Sequence, residues 1–211
     1  GSYSSDPFHG EVRVNEMKRM VKGLHEAGIS VVMDVVYNHV YRAEEFCFNQ
    51  IVPYYFSRFD EDGKLSDASG CGNDTASERT MVHKYIVDSV NYWADEYHID
   101  GFRFDLVGLI DTDTINDIMR TVHRKHPHVI FYGEGWDMAQ GVTKPNVQMT
   151  TQGNAKLVPG FAFFNDGLRD TMRGSVFDPK ASGYLCGNII PKKALLNCFQ
   201  ANPGWTADPS Q

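Results

Sequence analysis

Hydrophobic residues along this chain follow two alternating spacings, one typical of amphipathic helices and one typical of buried strands. Across residues 11–27 they recur every three or four positions, which predicts a helix that ends at Gly28. Residues 29–36 are a short run rich in β-branched side chains, which predicts a buried strand. A predicted helix over 78–97 and a predicted strand over 99–106 repeat the same order.

The alternation continues beyond the second strand. Further predicted elements are a helix at 113–125, strands at 128–134 and 159–166, a helix at 167–173 and a helix near 192–200. Strands that alternate with helices are typical of parallel β-α units, so the predicted fold class is α/β. Four such units are half of a (β/α)8 TIM barrel, which takes about 250 residues. We therefore predict one partial barrel domain over residues 1–211.

Residues 38–78 form the longest stretch with neither spacing, and they are rich in aromatic residues, Gly, Asp and Ser. A loop of this length in a compact domain is usually functional or disordered. The aromatic content favours an ordered, functional loop, with a packed lid of no direct role as the alternative.

Composition and charge narrow the class of partner. Of the 211 residues, 42% are hydrophobic, and the net charge of −7 disfavours nucleic acid and anionic membranes as partners. No apolar run is long enough to cross a membrane, so we expect a soluble protein, either cytoplasmic or secreted. The four cysteines contain no C-x-x-C pair, which disfavours a zinc site and leaves free thiols and disulfides equally open.

An acidic residue stands at the end of each of the first three predicted strands: Asp34, Asp105 and Glu134. The carboxyl ends of parallel strands lie on one side of the sheet, where active sites of such folds are built. We therefore expect the three carboxylates to converge in one cleft. Paired carboxylates are what glycosidic bond cleavage requires, one as nucleophile and one as proton donor.

The neighbours of these acids fit that chemistry. Arg103 lies two residues before Asp105, so the two side chains share a face of the strand and Arg103 can hold Asp105 ionised. Glycines on both sides of Glu134 would let a sugar approach, and Trp136 would supply an apolar stacking wall. Taken alone, Asp34 is equally well explained as a helix cap, and the Arg103–Asp105 pair as a structural ion pair.

Three motifs on successive strands carry a family resemblance: DVVYNHV at 34–40, GFRFDLVG at 101–108 and YGEGWD at 132–137. They resemble three ordered signature regions of the α-amylase superfamily, glycoside hydrolase family 13. In sequence, the three motifs are closer still to type I pullulanases, which cleave α-1,6 links in pullulan and branched starch. The stretches GCGNDTASER at 70–79 and FNDGLRDTMRG at 164–174 are also similar to pullulanase sequence.

The resemblance implies a retaining glycoside hydrolase that acts on an α-glucan, with Asp105 as nucleophile and Glu134 as general acid/base. It assigns substrate binding to His39, Arg103, Tyr37, Trp136 and Asn73. It implies that Asp34 and Asn38 support the cleft floor. No cofactor is implied, and a structural calcium ion near Asn38 is left open.

Two family features are absent from the 211 residues: a His-Asp-Asn triplet that supplies a third carboxylate, and a Tyr-Asn-Trp-Gly stretch. The resemblance therefore implies about strands three to six of the barrel, truncated at both ends, with the missing barrel segments as partners. We expect the chain alone to be weakly active or inactive. The alternatives are an α-1,4-acting amylase, an isoamylase-like enzyme, or an inactive glucan-binding relic. A metal-dependent barrel enzyme is disfavoured, because the acids lack a compact His/Asp ligand set.

Overall fold

The computed structural model describes residues 3–138, 146–189 and 192–199. The chain divides into two compact units, Gly1–Phe163 and Phe164–Gln211. The assignment of residues 1–211 to one partial domain stays a prediction.

The first unit is built around a parallel sheet. Its four strands are hydrogen-bonded in the order β1-β2-β3-β4 and are all parallel. Their bounds are Val32–Val35 for β1, Gly101–Phe104 for β2, Ile130–Gly133 for β3 and Phe161–Phe163 for β4. The prediction of an α/β fold with parallel strands is thereby confirmed. Each strand is shorter than the apolar run that predicted it.

The described residues form six α-helices, five of them at the predicted places. They are α1 (Gly10–Glu26), α2 (Cys47–Ile51), α3 (Thr80–Tyr97), α4 (Thr112–His123), α5 (Asp166–Arg173) and α6 (Lys192–Phe199). Helix α2 was not predicted, since five residues are too few to show a helical spacing. Among the described residues, no helix combines the length and the apolar character that a membrane span needs.

The two faces of the sheet differ in burial. Phe102, Phe104 and Phe131 are buried on the face that packs against the helices. Each buried aromatic or aliphatic side chain stabilises the fold by about 1.5–3 kcal/mol relative to exposure. On the other face, side chains at alternate positions remain accessible: Val32 is 39% exposed and Ile130 is 56% exposed. This second face carries the acids predicted to form the site.

The loop over residues 38–78 is ordered, as its aromatic content predicted. Phe46, Phe48 and Phe56 pack together with ring centroids 4.7–5.7 Å apart. The buried carboxylate of Asp74 accepts hydrogen bonds from the backbone amides of Ala68 and Ser69, each 2.8 Å long. Aromatic packing and the hydrogen bonds to Asp74 therefore fix the loop.

The second unit contains α5 and α6. Helix α5 is capped by Asn165, whose side-chain oxygen accepts a hydrogen bond from the Leu168 amide. Arg169 forms ion pairs with Asp166 and Asp170 on the same helix. In the described part of the chain the four cysteines are free thiols: Cys47, Cys71, Cys186 and Cys198.

Candidate active site

The register of the sheet brings the predicted site residues into one row. Asp34 on β1 lies opposite Arg103 on β2, which in turn lies opposite Tyr132 on β3. Asp105 and Glu134 each follow one residue after the end of their strands, β2 and β3. Because parallel strands end on the same side, the acids meet at one edge of the sheet.

Arg103 connects all three acids. Its Nη1 atom donates to Asp34 Oδ1 at 2.8 Å and to Asp105 Oδ1 at 2.9 Å, and its Nη2 atom donates to Glu134 Oε1 at 2.5 Å. Burial disfavours the charged guanidinium, but the hydrogen bonds to Asp34 and Asp105 and the charge of Glu134 outweigh it. The pKa of Arg103 is therefore raised, and the group stays cationic.

The side chains of this cluster differ in exposure. Those of Arg103, Asp105 and Glu134 are 19%, 26% and 18% exposed, whereas that of Asp34 is 64% exposed. Charge-assisted hydrogen bonds in such partly shielded surroundings are stronger than exposed ones. The arrangement holds two carboxylates in fixed positions at an accessible surface.

Asn38 anchors Asp105 from the neighbouring strand end. Its side chain is fully buried, and its Nδ2 atom donates to the Asp105 carbonyl at 2.6 Å and to Asp105 Oδ2 at 3.1 Å. The Asn38 Oδ1 atom contacts His39 Nδ1. The Asp105 amide donates to the Val35 carbonyl at 3.0 Å. Asn38 thus links His39 to Asp105.

Glu134 is held by the backbone as well as by Arg103. The Leu106 amide lies 3.2 Å from Glu134 Oε2, and the Gly108 amide donates to the Glu134 carbonyl at 3.2 Å. Leu106 adopts a left-handed conformation with φ 40° and ψ 48°. This contact could not be predicted from the sequence, because leucine rarely takes positive φ.

The structure directs Tyr37 away from the carboxylates. Its hydroxyl bonds to Ser89 Oγ on α3 at 2.7 Å, and its ring packs against Phe104 on the helix side of the sheet. Burial raises the pKa of Tyr37 to about 12, with the Ser89 hydrogen bond acting in the opposite direction. The sugar contact predicted for Tyr37 gains no support from this position.

Asn73 is also turned inward. It is 2% exposed, its Oδ1 atom accepts from the Val40 amide at 2.9 Å, and its Nδ2 atom donates to the Val40 carbonyl at 2.7 Å. Both polar atoms of the side chain therefore serve to fix the loop backbone. This geometry gives Asn73 a structural task, and its substrate contact stays a prediction.

The glycines beside Glu134 are also needed for packing, while their role in admitting a sugar stays a prediction. A Cβ atom on Gly133 would lie 2.4 Å from the Phe104 carbonyl oxygen, and one on Gly135 would lie 2.3 Å from the Phe163 ring. Close packing of the protein itself therefore requires these glycines. Trp136 follows them and is half-buried beside this edge.

No metal centre emerges at this edge. Within the ranges that the structure describes, no group of three or more His, Cys, Asp or Glu side chains is arranged to hold a metal ion. Near Asn38, where calcium was left open, both polar atoms of the side chain already have protein partners.

Comparison with known proteins gives consistent results, although no protein-family model matches the chain. Over its whole length the chain is 42% identical to a pullulanase from Bacillus subtilis. Over 92% of its length it is 36% identical to pullulanase 1, chloroplastic, from Arabidopsis thaliana. A crystal structure of a pullulanase from Anoxybacillus sp. LM18-11 complexed with maltotriose matches 95% of the chain, with a TM-score of 0.91 and 45% identity.

The chain covers only part of each of these proteins. It spans 30% of the Bacillus subtilis protein, 21% of the Arabidopsis thaliana protein and 28% of the Anoxybacillus structure. The similarity therefore describes a segment of each relative.

Proposed function

This chain belongs to the pullulanase family, and from that premise we propose that it carries the central catalytic residues of an α-1,6-glucan hydrolase. The substrates are pullulan and branched starch- or glycogen-type glucans. The observation that supports this proposal most is the pair of carboxylates, Asp105 and Glu134, bound to the two terminal nitrogens of one guanidinium.

The proposed reaction proceeds with retention of configuration. Asp105 attacks the anomeric carbon while Glu134 donates a proton to the departing glycosidic oxygen, which leaves a glycosyl group bonded to Asp105. Glu134 then takes a proton from water as the water attacks that carbon and releases Asp105. Retaining enzymes hold their carboxyl groups about 5 Å apart, and the binding of both acids to one guanidinium supports such a spacing here.

Other residues position these two. Arg103 orients Asp105 and Glu134, and the buried Asn38 amide fixes Asp105 from the side. His39 lies next to Asn38 and is proposed to donate to a sugar hydroxyl. Trp136 is the proposed aromatic wall of the subsite.

We place this chain at about strands three to six of a (β/α)8 barrel. The accessible side chains of Val32 and Ile130 support this placement, since the inner face of such a barrel is filled by side chains from all eight strands. Without those strands the core is unclosed, and the third carboxylate of the family is missing. The 211-residue chain alone is therefore expected to release little or no sugar.

The test replaces the matching segment of the Bacillus subtilis pullulanase with this chain, giving the grafted enzyme. Reducing-sugar release is measured on pullulan and on linear amylose, with circular dichroism to show that the protein is folded. The Asp105→Asn variant is expected to lower kcat by at least about 10³-fold. An Asp113→Asn variant, at an exposed position on α4, is the matched control.

The outcomes separate the alternatives. Cleavage of pullulan that is lost in Asp105→Asn and kept in Asp113→Asn supports the proposal. Cleavage of amylose alone would favour an α-1,4-acting enzyme. A folded grafted enzyme that binds maltotriose but releases no sugar would favour a glucan-binding relic.

A further inference from the structure

Leu106 occupies a backbone conformation that leucine normally avoids. With φ 40° and ψ 48°, it lies in the left-handed region, directly after Asp105. For a residue with a branched side chain this conformation is unfavourable, and such strain persists where the surroundings enforce it. Strained residues of this kind concentrate at functional sites.

The turn brings two backbone amides to Glu134. The Leu106 amide faces Glu134 Oε2 at 3.2 Å, while Arg103 occupies the other oxygen of the same carboxylate. Two residues later, the Gly108 amide donates to the Glu134 carbonyl at 3.2 Å. Glu134 is therefore held at its side chain and at its backbone by the segment that follows Asp105.

Gly108 makes this contact sterically feasible. A Cβ atom at this position would lie 1.9 Å from the Trp136 carbonyl oxygen, well inside any real contact distance. The turn also bonds to itself, because the Leu109 amide donates to the Leu106 carbonyl at 3.0 Å. The segment 106–108 is thus a compact unit wedged between Asp105 and the chain around Glu134.

We propose that residues 106–108 form a positioning turn, in which the left-handed Leu106 aims its amide at Glu134 Oε2 and fixes that carboxylate relative to Asp105. The catalytic role of this turn rests on the proposed function of Glu134 as general acid/base. Its geometric content, an amide-to-carboxylate hydrogen bond, is testable by itself. Leu106 is therefore a positioning residue that acts through Glu134.

The kinetic test uses the backbone preferences of the side chain. Valine is β-branched and disfavours positive φ, whereas asparagine tolerates it. In the grafted enzyme, Leu106→Val is expected to lower kcat about 10- to 100-fold more than Leu106→Asn, with KM changed less. If the Leu106 side chain merely packed, the order would reverse, because valine keeps apolar contacts that asparagine loses.

A second left-handed residue supplies the control. His98 has φ 54° at the exposed C-terminal end of α3, away from the acids. His98→Val introduces comparable backbone strain and is expected to lower the unfolding temperature while leaving kcat unchanged. Equal kcat losses in His98→Val and Leu106→Val would overturn the proposal.

Amide hydrogen exchange in the 211-residue chain gives a readout that needs no activity. Glu134→Ala is expected to speed exchange of the Leu106 amide about 10- to 100-fold, while the Leu109 amide stays protected. Glu134→Gln keeps an acceptor oxygen and is expected to retain most of the protection. Unchanged Leu106 exchange in Glu134→Ala would overturn the positioning turn even if the grafted enzyme is active. Conversely, an inactive grafted enzyme with the expected exchange pattern would count against the proposed function alone.

Discussion

Gly108→Ala offers a sharp test of how closely the two strand ends are packed. The backbone of Gly108 has an ordinary negative-φ conformation, so alanine meets no torsional penalty there. The penalty is steric: the new Cβ would lie 1.9 Å from the Trp136 carbonyl oxygen and 3.0 Å from its carbonyl carbon. Real Cβ atoms do not approach closer than 3.0 Å, so the backbone must shift by about 1 Å.

Such overpacking costs about 1–3 kcal/mol, and the upper part of this range applies because the obstacle is backbone. For a chain of this length, each kcal/mol lowers the unfolding temperature by about 2–4 °C. We therefore expect Gly108→Ala to unfold about 4–12 °C below the unchanged chain, as followed by circular dichroism.

Gly23→Ala is the matched control for this measurement. Gly23 lies inside α1, and a Cβ there meets nothing within 4 Å. Alanine is favoured over glycine within a helix by about 0.5–1 kcal/mol, so this variant should unfold at a slightly higher temperature. If Gly108→Ala unfolded at or above the temperature of the unchanged chain, the close approach of the two strand ends would be refuted.

Two further predictions concern other parts of the first unit. Because burial raises the pKa of Tyr37 to about 12, the folded chain keeps a proton that the unfolded chain loses near pH 10. Stability should therefore fall between about pH 10 and 12, and Tyr37→Phe should flatten that fall in urea titrations; an unchanged slope would contradict the buried phenol. Glu78→Ala leaves the buried Arg58 guanidinium without its carboxylate partner, which should cost about 3–5 kcal/mol in urea unfolding. The exposed Glu61→Ala is its control, and equal losses in both variants would refute the buried ion pair.

Much of the fold could be predicted from the sequence because its elements have regular spacings. Local hydrophobic spacing was sufficient to predict the strands that contain Met33, Phe102 and Phe131. It was also sufficient to predict helix α3. Strand ends were overestimated, because hydrophobicity continues into the turns where the ladder stops. Helix α2 escaped prediction because its five residues show no period.

The candidate site, like the fold, has one part that could be predicted from the sequence and one that could not. The convergence of Asp34, Asp105 and Glu134 followed from parallel strands that end in acids, and in the structure all three bind one guanidinium. The inward positions of Tyr37 and Asn73 could not be predicted, since they depend on partners distant in sequence, such as Ser89 and Val40. A side chain at a strand end faces the cleft or the core according to turn geometry that sequence spacing does not encode.

The left-handed conformation of Leu106 cannot be predicted from the local sequence. Propensity favours glycine or asparagine at positive φ, so a leucine there is set by its surroundings. The glycines at 133 and 135 were expected to admit a sugar, but their contacts with Phe104 and Phe163 show that packing already requires them.

Covalent trapping is the decisive test of Asp105 as the nucleophile of a retaining hydrolase. The grafted enzyme is incubated with a fluorinated α-glucosyl fluoride that forms a long-lived glycosyl-enzyme, and the labelled peptide is identified by mass spectrometry. We expect one glycosyl group on Asp105 and none on the Asp105→Asn variant. A label on Asp34 or Glu134, or an enzyme active on pullulan that acquires no label, would contradict it.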